Sequence, residues 1–249
     1  MFNPLDLSGV RILVTGASSG IGQGTAVLLS RLNAQVVCLG RNAQALAETK
    51  ARMAHGEHSF FQFDLTAVEE IPGWMKSLAA AVGPLHGLVH CAGVNRVQPL
   101  KSLSHSDYSA IMAINLEAAI MLTKGFRQKA VCPSGGSVVF ISSVAALKGE
   151  PGIAAYAASK GALLSLARTL ALELARDGIR VNCLCPGIVR TPMTDRLKSS
   201  FPPEAIANLE SRCPPGTPDD VGYAAAFFLS NAARWITGAT LTIDGGYTA

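Results

Sequence analysis

The sequence predicts an α/β protein, folded as one domain over residues 1–249, in which a seven-stranded, doubly wound parallel sheet carries helices on both faces. Short runs of β-branched and apolar residues alternate with helical patterns from end to end, which is how a parallel sheet is built. The 249 residues are 49% apolar and 15% charged, so the chain can bury a large core. No linker, repeat or low-complexity tract divides it.

Each strand is predicted from a short apolar run that ends near a turn signal. The predicted strands are 10–15, 35–40, 60–63, 85–91, 135–142, 179–185 and 240–244. The predicted helices are 23–32, 42–54, 69–82, 104–130, 153–176 and 223–229. Residues 188–218 are irregular, proline-rich and follow a strand end, so we expect a substrate lid there, with a short helix near 204–210.

The composition argues against several classes of protein. The net charge of +4 is scattered rather than collected in a basic block, so no nucleic-acid partner is expected. No apolar run approaches the roughly 20 residues that span a bilayer, and the N-terminus does not have the pattern of a signal peptide. The six cysteines contain no C-x-x-C pair, and no metal site is predicted. The cytoplasm is therefore the expected compartment.

A glycine-rich turn follows the first predicted strand and precedes the first helix. It runs from Gly16 to Gly22 with the spacing G-x-x-x-G-x-G. A strand, a glycine-rich turn and a helix together aim backbone N–H groups at a phosphate. The sequence therefore predicts a nucleotide site here, and a purely structural glycine loop is the alternative.

The end of the second strand indicates which nucleotide is preferred. An acidic residue at this point would bind the ribose hydroxyls of NAD, but the sequence has Arg41 followed by Asn42. The fork of donors on an arginine can pair with a 2′-phosphate. The sequence therefore favours NADP(H) over NAD(H), with a merely solvated Arg41 as the alternative.

One predicted helix carries a tyrosine and a lysine four residues apart. Tyr156 and Lys160 would share a helix face, and Ser143 ends the strand before this helix. An ammonium beside a phenol favours the phenolate, so Lys160 is expected to lower the pKa of Tyr156 from about 10. Tyr156 can then exchange a proton with a substrate oxygen that Ser143 also holds. An ordinary exposed helical pair is the alternative.

These motifs belong to a longer series that resembles the short-chain dehydrogenases/reductases over essentially the whole chain. The matching residues, in order, are Thr15, Gly16, Gly20, Gly22, Asp64, Ala92, Gly93, Asn115, Ser143, Tyr156, Lys160, Pro186, Gly187 and Thr191. The resemblance implies a single-domain Rossmann fold. It also implies reversible hydride transfer between a nicotinamide and a carbonyl or alcohol carbon.

The resemblance assigns roles to these residues. It implies that Tyr156 is the general acid in reduction, that Ser143 orients the carbonyl, that Lys160 holds the nicotinamide ribose, and that Asn115 anchors a proton-relay water. The residues that it implies contact the cofactor are Gly16, Ser18, Ser19, Gly20, Ile21, Arg41, Asp64, Leu65, Ala92, Gly93, Tyr156, Lys160, Pro186, Gly187, Ile188 and Thr191.

One motif departs from the family pattern. Where the family has Asn-Asn-Ala-Gly, this chain has His90 and Cys91 before the Ala-Gly pair. The first asparagine normally helps to bridge neighbouring strands. His90 can replace it through a ring nitrogen or can simply pack in the core, and core packing is the expectation.

Within the family, the chain looks most like 3-oxoacyl-(acyl carrier protein) reductases, while a sugar, steroid-like or small carbonyl substrate stays open. A carrier-bound thioester needs basic surface, yet Ser134 stands where such reductases tend to be basic, with Lys129 nearby. The expected pocket residues are Val144, Ala145, Leu147, Ile153, Ile188 and Met193, with Arg96 and Arg190 at its edges.

The apolar helices predict self-association. Residues 111–122, 162–174 and 223–229 are apolar nearly all round, and a helix on a sheet needs only one apolar face. A homotetramer or homodimer is therefore expected, with burial beneath loops as the alternative. Two rival functions are a sugar-nucleotide epimerase, whose chains are longer, and a non-catalytic NADP-binding protein, which would not need Ser143, Tyr156 and Lys160.

Overall fold

The computed structural model of the protein describes residues 3–133, 135–198 and 202–249. In this part of the chain all seven strands are parallel, in the order β3-β2-β1-β4-β5-β6-β7. The strands are β1 (Arg11–Thr15), β2 (Gln35–Gly40), β3 (Ser59–Gln62), β4 (Gly87–His90), β5 (Gly136–Ile141), β6 (Ile179–Pro186) and β7 (Thr240–Ile243). The predicted fold class is confirmed.

Helices cover both faces of this sheet, and each face has its own apolar cluster. The helices are α1 (Gly20–Arg31), α2 (Ala43–Arg52), α3 (Ile71–Val82), α4 (His105–Met112), α5 (Ala118–Phe126), α6 (Ala154–Glu173), α7 (Pro192–Lys198), α8 (Pro203–Arg212) and α9 (Pro218–Leu229). One cluster joins the sheet to α3, α5 and α6, and the other joins it to α1, α2 and α9. The strand order reverses between β1 and β4, and ligands of such sheets bind at that switch point.

The predicted helix 104–130 differs from the observed one. A π-helical turn, Ala113–Glu117, separates α4 from α5, and α5 ends at Phe126. By length and composition, His105–Phe126 is apolar enough to cross a membrane. Ile111, Leu122 and Phe126 are buried in the core, however, so this stretch serves as a core segment.

The predicted irregular stretch 188–218 contains two helices, α7 and α8, and residues 199–201 of it lie outside the described residues. Its two ends meet, because Gly216 N–H donates to the carbonyl of Ile188 at 2.9 Å and Arg190 N–H donates to the carbonyl of Gly216 at 2.9 Å. Lys198 of α7 also pairs with Glu210 of α8. Backbone hydrogen bonds therefore join the beginning and the end of this segment. Ser134 also lies outside the described residues.

His90 corrects the expectation that this residue only packs in the core. It is fully buried, but its Nδ1 also lies 3.1 Å from the Thr15 hydroxyl oxygen on the neighbouring strand β1. Thr15 in turn accepts a hydrogen bond from the backbone N–H of Ala92 at 3.1 Å. Burial and the charge of Lys160 lower the pKa of His90 to about 3, so its ring is neutral. The histidine thus bridges β4 and β1 where the family has asparagine.

Candidate active site

Two cavities lie above the carboxyl edge of the sheet. The first has a volume of about 290 Å³ and extends from the glycine-rich turn to the end of β4. The second has a volume of about 330 Å³ and is bounded by the end of β5, the start of α6 and the helices α7 and α8. The first lies at the switch point between β1 and β4, where α/β proteins bind their ligands.

The glycine-rich turn forms the floor of the first cavity because the backbone there is packed too tightly for side chains. A Cβ atom on Gly22 would lie 2.3 Å from the carbonyl oxygen of Gly16. Gly16 has φ +65°, which favours glycine, and a Cβ there would lie 2.9 Å from Ala92. Helix α1 then begins at Gly20, so its N-terminal N–H groups face the cavity.

Most residues that were predicted to bind the cofactor line this first cavity. They are Gly16, Ser18, Ser19, Gly20, Ile21, Arg41, Asp64, Leu65, Ala92, Gly93 and Thr191. Residues that were not predicted to bind the cofactor also line it. They are Leu39, Gly40, Phe63, Cys91, Val94, Ile114, Pro192, Met193 and Arg196.

The remaining predicted cofactor residues lie beside the second cavity or between the two. Gly187 and Ile188 line the second cavity, and Pro186 is the buried last residue of β6. Lys160 reaches towards the first cavity, because a Cβ atom on Gly93 would lie 3.2 Å from its Nζ. Tyr156 lines the second.

Arg41 and Asp64 stand at the outer end of the first cavity. Arg41 is exposed at the end of β2, and its carbonyl accepts a hydrogen bond from the side chain of Gln62 at 2.9 Å. Asp64 accepts a hydrogen bond from the N–H of Thr66 at 3.0 Å. Hydrogen bonds from Thr66 and the nearby charge of Arg41 lower the pKa of Asp64, so it is an anion.

Ser143 and Tyr156 line the second cavity, and Lys160 extends from the same helix as Tyr156 towards Gly93 of the first. Ser143 follows β5, and its Oγ accepts a hydrogen bond from the N–H of Ala145 at 3.1 Å. Lys160 is one turn after Tyr156 on α6, with its Nζ 5.8 Å from the centre of the tyrosine ring. The Nζ donates to the carbonyl of Ile141 at 2.8 Å. The predicted pair therefore lies in the interior, and the exposed-pair alternative is wrong.

The pKa values of this pair differ from the sequence-based expectation. Burial raises the pKa of Tyr156, and a hydrogen bond from Ser143 opposes this rise only in part. Burial also lowers the pKa of Lys160 to about 8. The expectation that Lys160 depresses the pKa of Tyr156 is wrong for the protein without ligands. The physical reason is that the site is dry enough to disfavour both charged forms, and the ammonium is hydrogen-bonded to Ile141 rather than to the phenol.

Asn115 is held rigidly by the π-helical turn. Its Oδ1 accepts from the N–H of Val94 at 2.8 Å, and its Nδ2 donates to the carbonyl of Val94 at 3.0 Å and to the Ser159 hydroxyl at 2.9 Å. Both polar atoms of the side chain are therefore hydrogen-bonded. A Cβ atom on Gly93 would lie 3.3 Å from the Oδ1 and 3.2 Å from the Lys160 Nζ, so these two atoms are on the same side of Gly93. Local widening of a helix is often found at functional sites.

The second cavity has apolar walls and a charged mouth. Of the predicted pocket residues, Val144, Ala145, Ile153 and Ile188 line it, together with Ser143 and Tyr156. It is also lined by residues that sequence reasoning missed as pocket residues, namely Asn95, Lys148, Glu150, Pro151, Thr194, Leu197, Lys198, Ile206, Glu210 and Tyr247. No sequence motif marks them, because they come from separate loops that only the fold brings together.

Four predicted pocket residues lie elsewhere. Met193 lines the first cavity, because α7 turns it towards Thr191 and Arg196. Leu147 is half exposed, and neither it nor the exposed Arg190 lines either cavity. Arg96 is paired with Asp107 on α4 instead of reaching the pocket.

The first cavity fits a dinucleotide. Its floor is a close-packed glycine turn that opens onto a helix N-terminus, which is the arrangement that binds a pyrophosphate. Asp64 and Leu65 flank one end, and Gly93, Thr191 and the Lys160 ammonium flank the other. A nicotinamide dinucleotide laid along this cavity would have its reactive ring beside Tyr156.

Comparisons with known proteins support this interpretation. A family model described as Enoyl-(Acyl carrier protein) reductase matches residues 16–248. A 3-oxoacyl-(acyl-carrier-protein) reductase FabG from Rickettsia prowazekii is 34% identical over 97% of this chain and 98% of its own length. A gluconate 5-dehydrogenase from Gluconobacter oxydans is 35% identical over 97% of this chain and 96% of its own.

A solved structure has the same fold. It is assigned as an NAD(P)-dependent gluconate 5-dehydrogenase from Beutenbergia cavernae, contains NADP at low occupancy, and superimposes with a TM-score of 0.90. It is 34% identical to this chain and covers 99% of both chains. With the sheet order, the two cavities and the Ser143, Tyr156 and Lys160 arrangement, these similarities show that the chain belongs to the short-chain dehydrogenase/reductase family, as an oxidoreductase that interconverts C=O and CH–OH groups.

Proposed function

We propose that this enzyme reduces a ketone to a secondary alcohol with NADPH, and that Tyr156 is the general acid. The observation that carries the proposal is that Ser143 and Tyr156 line the 330 Å³ cavity while the Lys160 Nζ lies beside Gly93 of the dinucleotide cavity. A carbonyl oxygen held in the second cavity can face the phenol and the serine hydroxyl while its carbon is open to attack from the side of Lys160 and Gly93. The bound nicotinamide supplies the hydride.

The protein's own groups supply position and a proton. Burial keeps Tyr156 protonated at neutral pH, so its phenol can give a proton to the carbonyl oxygen as negative charge develops there. The Ser143 hydroxyl donates a second hydrogen bond to the same oxygen and so fixes the carbonyl in place. The Lys160 ammonium, which lies one helical turn away, stabilises the phenolate that remains after transfer.

We further propose that Asn115 and Lys160 return a proton to Tyr156 after each turnover. Lys160 has its pKa lowered to about 8, so it can release and regain a proton near neutral pH. Asn115 lies beside Gly93, as the Lys160 ammonium does. The Oδ1 of Asn115 is fixed by the N–H of Val94 and its Nδ2 by the Ser159 hydroxyl. Its role is to hold a water beside Lys160.

The preference for NADP(H) rests on Arg41. Its guanidinium is exposed at the mouth of the dinucleotide cavity, at the end of β2, where the adenine ribose of a bound dinucleotide would lie. A guanidinium binds a 2′-phosphate through two parallel hydrogen bonds. The relative from Beutenbergia cavernae with bound NADP supports the same preference.

Two substrate classes suit the second cavity. A 3-oxoacyl thioester is favoured by the Rickettsia prowazekii relative and by the apolar walls from Val144, Ile153 and Ile188. A hydroxylated ketone is favoured by the Gluconobacter oxydans relative and by Asn95. Asn95 lines this cavity, and its buried Oδ1 has no hydrogen-bond partner among the described residues, so this side chain has an unused acceptor for a substrate hydroxyl.

Three further features belong to the proposal. The single domain 1–249 uses residues 188–218 as a lid, since α7 and α8 form one side of the substrate cavity. The enzyme is a cytoplasmic homotetramer, and the exposed apolar side chains of Leu172, Tyr223 and Trp235 provide contact surface for it. Sedimentation equilibrium would test the tetramer.

The experiment that tests the proposed function is the oxidation of NADPH and NADH, followed by absorbance, with a panel of carbonyl compounds. The panel contains an acetoacetyl thioester, a keto-sugar, an aromatic ketone and a diketone, with an enoyl thioester as a chemically different substrate. We expect turnover of at least one ketone, with NADPH favoured over NADH. Reduction of the enoyl thioester alone would contradict carbonyl reduction, and cofactor binding without any turnover would favour a non-catalytic protein.

A further inference from the structure

The charged residues at the mouth of the substrate cavity differ in whether they already have partners. Lys148, Glu150, Lys198 and Glu210 all line this cavity. Lys198 is paired with Glu210, which also joins α7 to α8. Neither Lys148 nor Glu150 makes an ion pair among the described residues. Lys148 is therefore a cation that faces the cavity and is available to a ligand.

Lys148 is held in a defined place although it is exposed. Its Nζ lies 4.1 Å from the centre of the Tyr247 ring, and its backbone N–H donates to the carbonyl of Val144 at 2.9 Å. The backbone turn that carries Tyr247 is held by Asp244, whose carbonyl accepts from the N–H of Tyr247 at 3.2 Å and whose carboxylate accepts from the N–H of Thr248 at 2.8 Å. A cation stacked on a ring loses less conformational freedom when it binds an anion than a free lysine does.

The position of Lys148 is tied to that of the catalytic serine. Lys148 follows Ser143 by five residues, across the short 3₁₀ turn Val144–Ala146. Both residues line the cavity with Tyr156. A ligand that fills this cavity of about 330 Å³ can therefore contact Lys148 and Tyr156 together.

We propose that Lys148, supported by the Tyr247 ring, binds an anionic group on the substrate and so makes this enzyme selective for acidic carbonyl compounds. This inference rests on the proposed carbonyl reduction and names the substrate class. The anion is a carboxylate on the ketone itself or a phosphate on a thioester carrier, since both bind an ammonium in the same way. The carboxylate of Glu150 lies at the same mouth and repels an anion, so it reduces the preference for charged substrates that Lys148 creates.

The test compares substrates that differ only in charge. The first pair is 5-oxohexanoate and its methyl ester, and the second is acetoacetyl-CoA and acetoacetyl-N-acetylcysteamine. For each pair, the ratio of kcat/KM for the charged compound to kcat/KM for the neutral compound is measured with Lys148→Gln, Lys148→Arg and Glu150→Gln. Lys76→Gln, which removes an exposed charge from α3 far from the cavity, is the matched control.

We expect Lys148→Gln to lower this ratio by about tenfold, mainly through KM, because a charge-assisted hydrogen bond to the substrate is lost. Lys148→Arg should keep most of the ratio, Glu150→Gln should raise it, and Lys76→Gln should not change it. If the ratio falls for the first pair, the anion that Lys148 binds is a carboxylate, and if it falls for the second pair, the anion is a phosphate. An unchanged ratio in both pairs would overturn the proposal, as would an equal fall in Lys76→Gln.

A binding experiment separates this inference from the proposed reaction. Calorimetric titration of 5-oxohexanoate, and separately of acetoacetyl-CoA, into the enzyme with NADP⁺ measures affinity with no reductant present. The proposal requires that 5-oxohexanoate or acetoacetyl-CoA binds to wild type about tenfold more tightly than to Lys148→Gln. If wild type and Lys148→Gln bind each compound with the same affinity, the proposal is overturned, even if carbonyl reduction is confirmed. Weaker binding to the variant without any turnover would keep the anion site and reject the reaction.

Discussion

Replacing Lys160 by methionine should stabilise the fold while it removes activity. Burial lowers the pKa of Lys160 from 10.5 to about 8, so the folded protein holds a charge that the unfolded chain carries more easily. At about 1.36 kcal/mol for each pKa unit, the ammonium costs the folded state about 3 kcal/mol at pH 7. Methionine removes this cost but leaves the carbonyl of Ile141 without its 2.8 Å hydrogen bond, a loss of about 1 kcal/mol. The net expectation is a gain of about 2 kcal/mol in the free energy of unfolding.

The pH dependence of the stability gain distinguishes removal of the buried ammonium from better packing of the methionine side chain. The cost is fully present below pH 8, where Lys160 is charged in both states. Between about pH 8 and 10.5 the unfolded chain binds a proton that the folded protein has lost, so wild-type stability rises with pH. The advantage of Lys160→Met should therefore shrink as the pH rises to 10.

The assay is urea unfolding of the ligand-free protein at pH 7 and at pH 10, with Lys76→Met as the exposed-lysine control. For a chain of this length, a gain of 2 kcal/mol corresponds to a rise in Tm of about 4–8 °C. NADPH-linked turnover by the same variant should be lost. Lower stability of Lys160→Met at pH 7, or an equal gain at both pH values, would refute the idea that burial of the ammonium costs stability.

Three more perturbations follow from the site. Arg41→Asp should raise the KM for NADPH by at least about tenfold and spare NADH, because the 2′-phosphate loses its bidentate partner; an unchanged NADPH/NADH ratio in steady-state kinetics would reject the assignment of Arg41. Carbonyl reduction should decline as the pH rises through about 8, where Lys160 loses its proton, and a pH–rate profile that is flat from pH 6 to 9 would show that this ammonium does not matter. Gly22→Ala should weaken NADP⁺ binding in calorimetry, since a Cβ atom would lie 2.3 Å from the Gly16 carbonyl and force the turn apart, whereas Gly73→Ala, with open space around it, should bind as wild type does.

The parts of the site that the sequence predicts are those that a local pattern determines. The glycine turn, Arg41 and the Tyr156–Lys160 pair each depend on a strand end, a turn or one helix face, and sequence spacing alone places these. The alternation of apolar runs with helical patterns likewise predicts the sheet and its two helical layers.

The parts that the sequence did not predict depend on contacts between distant segments. Lys148 and Tyr247 meet across about a hundred residues, and no motif marks either one. The pKa of Tyr156 rises because of burial, which a spacing rule cannot estimate, and the bond from His90 to Thr15 requires two paired strands. The π-helical turn at Asn115 replaces the α-helical continuation that the sequence pattern favours, and Asn115 there bonds to the distant Val94 and Ser159.

The proposed reaction depends most on Tyr156 as the acid that protonates a carbonyl oxygen. The direct test is NADPH oxidation with the best ketone of the panel, by wild type and by Tyr156→Phe, alongside calorimetric titration of NADP⁺ into both. We predict that Tyr156→Phe loses at least about a hundredfold in kcat and binds NADP⁺ nearly as wild type does, because only the phenol oxygen is removed. A Tyr156→Phe variant that reduces the ketone at the wild-type rate would contradict the mechanism.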